Sequence, residues 1–383
     1  MAEVAVLAGR ALIDGELTGP VTLSVADGRI ASVDPPRTSG VIDASGATVL
    51  PGLLDVHTHG GDGVQLIDGA DADLERLAMF YARHGVTGFL ASVGGSRASF
   101  LGSIAAVRAY LDASPQRGAR CLGLHLEGPF ISAQAPGAFQ PQSILPPDTD
   151  LFREILDVAG GYLRRLTIAP EAPGADAVID LALHYGVTCS AGHSVATGAQ
   201  VMRAVDAGVR SVTHLFNAMA PFHHREPGLV GVALADQRLV CELIADGVHV
   251  HPTAVRLAAR AKGVAGIALI SDSIAAAGLP DGEYELEEQH VTVADGESRL
   301  ADGTLAGSTL TLDRAVANLA RWADIPLDDA VRSATEVPAR LLGLDAERGT
   351  IAVGRDADLA AFGPDQRLLW TMVGGELYPT SAT

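Results

Sequence analysis

The stretch Leu50-Pro51-Gly52-Leu53-Leu54-Asp55-Val56-His57-Thr58-His59-Gly60-Gly61-Asp62-Gly63 is an apolar run that closes on two histidines, two residues apart, before a glycine-rich turn. On a strand, side chains two apart point to the same side. His57 and His59 therefore lean together, a natural pair of imidazoles for one metal ion. Later apolar runs end in the same polar manner. They close on His125-Leu126-Glu127, Ala191-Gly192-His193, Thr213-His214, Asp246-Gly247-Val248-His249 and Ser271-Asp272-Ser273. Imidazole and carboxylate ligands suit Zn²⁺ or Fe²⁺ with a position left open for water. The chemistry implied is metal-assisted hydrolysis, in which a bound cation acidifies water and a nearby carboxylate takes and returns a proton. Asp272 is the candidate for that carboxylate.

Groups this far apart in the chain can meet only if the ends of their strands meet. Eight apolar runs have strand length: residues 50–56, 86–93, 121–126, 163–169, 187–191, 211–215, 239–245 and 266–270. Helical periodicity fills most gaps, over residues 71–84 (Leu74, Leu77, Ala78 and Tyr81 on one face), 99–113, 176–185, 199–207 and 253–262. The alternation predicts an α/β fold, a closed parallel (β/α)₈ TIM-like barrel whose catalytic groups come from the C-terminal strand ends. A doubly wound open sheet is the structural competitor.

Residues 1–49 read instead as short β segments, with Asp27-Gly28 as a hairpin signal. The last forty residues are β-like again. Both termini are expected to build one small β-sandwich domain, from residues 1–49 and 346–383, flanking a barrel over 50–345. A β-hairpin insertion at about 283–307 interrupts the alternation after the eighth run, and helices return at 312–322 and 327–342.

The chain has 383 residues, 48% of them hydrophobic, enough for one large core and a small one. Aromatics are only 4%, so Ala, Val, Leu and Ile must fill that interior. A formal charge of −19 argues against nucleic acid or an anionic membrane as partner. No run has membrane-spanning length, and the first residues lack the basic and long apolar regions of a signal peptide. Cys121, Cys189 and Cys241 sit in or beside apolar runs without C-x-x-C spacing, as buried thiols of a reducing cytoplasm. A cytoplasmic protein is expected.

The remaining histidines read mostly as structural. His125 shares a face with Glu127 and is a supporting or packing group; His84 and His184 lie near helix ends, His251 opens a helix and His290 lies in the insertion. His223 and His224 follow the sixth strand beside Arg225, where together they make sense as an anion clamp.

These residues resemble the amidohydrolase superfamily. The Pro-Gly-x-x-Asp-x-His-x-His run, the later strand-end histidines, the Asp after strand eight and the closing Gly349-Thr350-Ile351-Ala352-Val353-Gly354-Arg355-Asp356-Ala357-Asp358-Leu359 are all similar to it. Lys262 is the only lysine and sits in a helix, so the carbamylated lysine that bridges two metals in some members has no counterpart, and Glu127 must bridge.

A finer resemblance, over nearly the whole chain, is to the N-acetylglucosamine-6-phosphate deacetylases. It is carried by His125-Leu126-Glu127-Gly128-Pro129-Phe130, Thr213-His214-Leu215-Phe216-Asn217-Ala218-Met219, Arg225-Glu226-Pro227-Gly228, Ala245-Asp246-Gly247-Val248-His249 and Gly303-Thr304-Leu305-Ala306-Gly307-Ser308. The resemblance implies hydrolysis of the acetamide of a 6-phosphorylated amino sugar. It implies Glu127, His193 and His214 as ligands of a main Zn or Fe ion, and His57, His59 and Glu127 for a second in members that keep the pair. It further implies Asp272 as proton acceptor and donor, Asn217 and the Ala218 backbone facing the phosphate, His249 on a sugar hydroxyl, and Ala138, Leu305, Ala306 and Gly307 lining the sugar pocket. Arg225 is implied to reach the phosphate of a neighbouring subunit, which requires a homodimer.

One departure stands out. Similar enzymes carry a loop ending Gly-Ala-His or Gly-Thr-His, whose histidine polarises the acetyl carbonyl. Here the loop reads Pro136-Gly137-Ala138-Phe139-Gln140. Loss of one such donor costs about 100- to 1000-fold in rate, unless a second metal, His223 or His224 compensates. Phe139 therefore keeps open an alternative, a related amidohydrolase acting on a different N-acyl amino sugar or N-acyl compound. A catalytically silent scaffold is disfavoured, because every candidate ligand and base position is filled.

Overall fold

In the computed structural model, which describes residues 4–34, 40–67, 73–114, 117–287 and 289–380, eight parallel strands follow one another in chain order. They are β1 (Leu53–Thr58), β2 (Val86–Val93), β3 (Arg120–Glu127), β4 (Leu163–Ile168), β5 (Thr188–Ala191), β6 (Ser211–Val212), β7 (Val240–Leu243) and β8 (Ile267–Leu269). Each pairs with the next. Beyond β8 the chain returns to β1: Asp272 N–H donates to the His57 carbonyl at 2.9 Å, and His59 N–H to the Ser273 carbonyl at 2.8 Å. Strand order without reversal, together with this return, makes a (β/α)₈ barrel and excludes the doubly wound sheet. β1 and β2 are buried at every residue, which is why they read as continuous apolar runs instead of alternating ones.

The outer helices bury the expected stripes. In Leu74–Arg83, residues Leu74, Leu77, Ala78 and Tyr81 are buried, and the Asp73 side chain caps the first turn by accepting the Arg76 N–H; residues 71 and 72 of the expected helix lie outside the described residues. Helices Arg97–Asp112, Ala175–His184, Gly198–Ala207, Pro252–Lys262 and Leu312–Ala323 occupy the other anticipated gaps.

The structure also departs from the sequence reading. Helix Thr149–Ala159 is additional to the expected set, although Asp148 caps it and Gly160 ends it in the left-handed conformation. Helix Gly228–Ala235 is apolar on all sides and offers no periodicity to read. The expected helix over 327–342 is three short pieces, broken at Thr335 so that Pro338 falls in the first turn of Glu336–Leu341, where its missing N–H does no harm.

The two termini do build one β unit. Val4–Ile13 pairs in parallel with Val41–Pro51, which pairs antiparallel with Leu359–Phe362 near the other end of the chain. Val6, Leu23, Ile30, Val49, Leu359 and Met372 share its core. The apolar run 50–56 is accordingly divided: Leu50 and Pro51 end a strand of this sheet, and β1 starts at Leu53. Gly52 sits between them because a Cβ there would lie 2.2 Å from Thr87. The insertion has three strands, Gly282–Leu286, Gln289–Ala294 and Glu297–Leu300, not two. The Asp295-Gly296 turn, both residues at positive φ, makes the second hairpin. No helix among the described residues is long and apolar enough to cross a membrane.

Candidate metal centre and active site

The C-terminal ends of β1, β3, β5, β6 and β8 bring six side chains to one mouth. Glu127 lies at the centre. Its Oε1 is 3.2 Å from His193 Nε2, 3.0 Å from His214 Nε2 and 3.4 Å from His57 Nε2, while its Oε2 is 3.1 Å from His59 Nε2. Asp272 Oδ1 stands 3.4 Å from both His57 Nε2 and His59 Nε2. All six groups are buried. Two sets of three have ligand atoms within 4.8 Å of one another: His57, His59 and Glu127, and Glu127, His193 and His214.

The proton positions follow from the partners on the other ring nitrogen. His59 Nδ1 faces the Ser92 carbonyl at 3.1 Å and His193 Nδ1 the Ala135 carbonyl at 3.0 Å. A carbonyl only accepts, so both Nδ1 atoms carry hydrogen and, in the neutral rings, both Nε2 atoms present lone pairs. His57 Nδ1 faces the Glu242 carboxylate at 3.0 Å, with the same result. The lone pairs of His57, His59 and His193 thus converge on carboxylate oxygens and on each other, with His57 and His59 Nε2 3.1 Å apart; His214 Nε2 lies 3.0 Å from His193 Nε2. Such a cluster demands positive charge, and the titration behaviour agrees. Burial alone pushes His57 and His59 down, yet Glu127 and Asp272 outweigh it, raising His57 well above its ordinary value and His59 to about 9. Burial pushes Glu127 and Asp272 up, but the His57 charge and imidazole hydrogen bonds hold both below the usual carboxylate range. A donor set of four imidazoles and a shared carboxylate, all buried, fits a divalent cation.

Local backbone strain accompanies the site. His193, His214, Phe216, Ala218 and Asp272 all have positive φ, between 29° and 81°. Each such residue costs about 1–3 kcal/mol, and such residues cluster at functional sites.

A cavity of about 390 Å³ opens onto the centre. His59, Glu127, His193, His214, Asp272, His249, Asn217, Ala218, Ala138, Leu305 and Gly307 all border it, as does Phe139. His249 is fixed by Asp246, which accepts its Nδ1–H at 2.7 Å. The Asn217 amide nitrogen donates to the His214 and Leu215 carbonyls, bracing the loop after β6. Two expected members stand elsewhere. Ala306 is buried in the small core beneath the insertion, with Ile274 and Val291. Arg225 is exposed, bonded to His224 at 3.0 Å, and outside its own chain's cavity. Phe139 meets His193 edge-on, ring centroids 5.2 Å apart. His223 and His224 are exposed and outside their own chain's cavity.

His125 is not a ligand: Ser92 Oγ and Thr167 Oγ1 engage its two nitrogens at 2.9 Å each. Burial holds it well below its ordinary pKa. His84 lies 3.7 Å from Asp313, His251 caps helix Pro252–Lys262, His184 packs on Tyr185, and His290 lies 3.6 Å from Glu283; none of the four joins the ligand groups. The sequence reading missed Glu287, Arg299 and Leu286, which the insertion contributes to the cavity wall. It also missed Arg165 and Glu242, whose signal was charge inside apolar strands.

The amidohydrolase family profile matches residues 48–378. An N-acetylglucosamine-6-phosphate deacetylase of Bacillus subtilis (strain 168) is 36% identical over 363 residues, covering 93% of this chain and 92% of the relative. The chain belongs to the amidohydrolase family. Within that family it groups with the amino-sugar phosphate deacetylases. An N-acetylgalactosamine-6-phosphate deacetylase of Escherichia coli O157:H7 is also 36% identical, over 364 residues, covering 93% of this chain and 94% of the relative. A solved structure of a mutant N-acetyl-D-glucosamine-6-phosphate deacetylase from Mycobacterium smegmatis, in complex with N-acetyl-D-glucosamine-6-phosphate, superposes with a TM-score of 0.92. It is 35% identical and covers 99% of this chain and 100% of that one. Members of this family are metal-dependent, in keeping with the two ligand groups around Glu127.

Proposed function

We propose that this enzyme hydrolyses the acetamide of N-acetylglucosamine 6-phosphate to glucosamine 6-phosphate and acetate. The observation that carries this reading is Glu127, shared between two ligand groups at the mouth of a cavity that Asp272 also borders. Glu127, His193 and His214 would hold one Zn²⁺ or Fe²⁺, and His57, His59 and Glu127 a second. When bound, such cations acidify water and stabilise negative charge developing on the acyl oxygen.

The chain's own groups do the rest. Asp272, ionised at neutral pH, takes a proton from the attacking water as its oxygen bonds to the acetyl carbon. It returns that proton to the sugar nitrogen as the C–N bond breaks, so the amine leaves neutral. His249, oriented by Asp246, offers Nε2 to a sugar hydroxyl. Leu305, Gly307 and Ala138 enclose the ring, and Phe139 keeps water from the flank of His193. Asn217 and the Ala218 backbone face the phosphate. By the family resemblance we assign Arg225 to the phosphate of a partner subunit in a homodimer, a role compatible with its place outside its own cavity. Three free thiols, Cys121, Cys189 and Cys241, accord with a cytoplasmic setting.

Acetate release tests this reading. Turnover of N-acetylglucosamine 6-phosphate without turnover of the unphosphorylated sugar is expected; equal turnover of both would remove the phosphate from recognition. The similarity to the Escherichia coli relative calls for the galacto epimer in the same assay, and a higher kcat/KM for it would move the assignment to that substrate. Arg225→Ala is expected to raise KM by about 10- to 100-fold with kcat nearly unchanged, the size of a lost charge-assisted phosphate contact. An unchanged KM would take Arg225 out of the phosphate site.

A further inference from the structure

Beneath the centre, inside the barrel, lie two charges that neither border the cavity nor belong to the ligand groups. Glu242 on β7 and Arg165 on β4 are both fully buried. The Glu242 carboxylate accepts from three donors: His57 Nδ1 at 3.0 Å, the His214 main-chain N–H at 3.2 Å, and the Arg165 guanidinium. Arg165 also donates to Ser211 Oγ at 2.9 Å. A buried ion pair is a weak source of stability, often replaceable by apolar side chains at no loss. Its place here points to a different task.

Of the imidazoles around Glu127, His59 and His193 have their Nδ1–H fixed by main-chain carbonyls. His57 is fixed by a side chain, Glu242. We propose that Glu242 is a positioning residue for a cation at His57, His59 and Glu127. It holds His57 in the tautomer whose Nε2 lone pair faces that site, makes the imidazole a stronger donor, and stands between the cation and the Arg165 charge. This inference rests on the metal reading above.

An amide cannot take over the role. If the oxygen of a glutamine at this position faces Arg165, its NH₂ faces His57 Nδ1 and the His214 N–H. The imidazole must then accept at Nδ1 and carry its proton on Nε2, aimed at the cation site. If the amide is turned over, NH₂ meets a guanidinium. The charged clash is the worse of the two, so Glu242→Gln selects the wrong His57 tautomer.

The test titrates metal-free protein with Zn²⁺ against a chromophoric chelator, reading both stoichiometry and the affinity of each ion. The wild-type chain is expected to take two ions. Glu242→Gln should weaken the ion at His57, His59 and Glu127 about 10- to 100-fold, and the ion at Glu127, His193 and His214 by clearly less, since Glu242 touches that group only through the His214 main-chain N–H. The double variant Glu242→Leu, Arg165→Met removes the ion pair with little change in volume. It should show the same selective loss, and it carries the test if Glu242→Gln does not fold. Wild-type affinity for both ions in the folded variants overturns the proposal, as does equal weakening of both, which would mean general loosening of the barrel. A wild-type chain that takes one ion overturns the two-ion reading itself, and this proposal with it, before any variant is measured.

Discussion

Asp272→Asn should lower kcat by about 100- to 10,000-fold, the range for loss of a positioned general acid–base group, while leaving the bound metal in place. The amide is nearly isosteric, and Asn tolerates the left-handed backbone at this position, where φ is 50°. The two ligand groups do not include Asp272, so their donor atoms stay where they are. What disappears is a proton acceptor. Positive charge at the centre and the His59 hydrogen bond outweigh the burial of Asp272 and hold its carboxyl below its ordinary range, and an amide has no such lone pair to protonate at neutral pH. Acetate release and metal content, measured on the same preparation, check this. A near-wild-type kcat would exclude Asp272 as the base; loss of metal alongside activity would make it a ligand.

Glu127→Ala should be more damaging, and differently so. Glu127 is common to both ligand groups, so one substitution removes a donor from each. Both metal and turnover are expected to fall below those of Asp272→Asn. The metal-free variant should melt below the metal-free wild type, because alanine removes the carboxylate that pairs with the buried imidazoles. Only the wild type should gain stability from added metal, about 2.7 kcal/mol at one hundred times its Kd. Thermal melts with and without Zn²⁺, beside metal analysis, make the comparison. If Zn²⁺ stabilised the Glu127→Ala variant as strongly as wild type, the ion would have to sit on other side chains.

The barrel was legible because burial on both faces writes its strands as apolar runs, and because six of the eight runs close on a histidine or carboxylate. His57, His59, Glu127, His193, His214 and Asp272 could be picked out for that reason, before any coordinates. The shared β unit of the two termini was legible as a change of period. Helix Gly228–Ala235 was not, since a helix apolar on every side has no stripe. The third strand of the insertion was illegible because the turn that makes it, Asp295-Gly296, looks the same whether it ends a hairpin or begins another.

What the amino acids determined by themselves was the ligand chemistry, the likeness of strand ends and the class of reaction, since residue types and a period of two are local properties. Tertiary structure alone decided that Phe139 packs on His193, that Ala306 lies in the core beneath the insertion instead of on the cavity, and that Glu242 and Arg165 sit beneath His57. Each of those is a distance between strands or loops far apart in the chain, and ring closure, not local sequence, sets such distances.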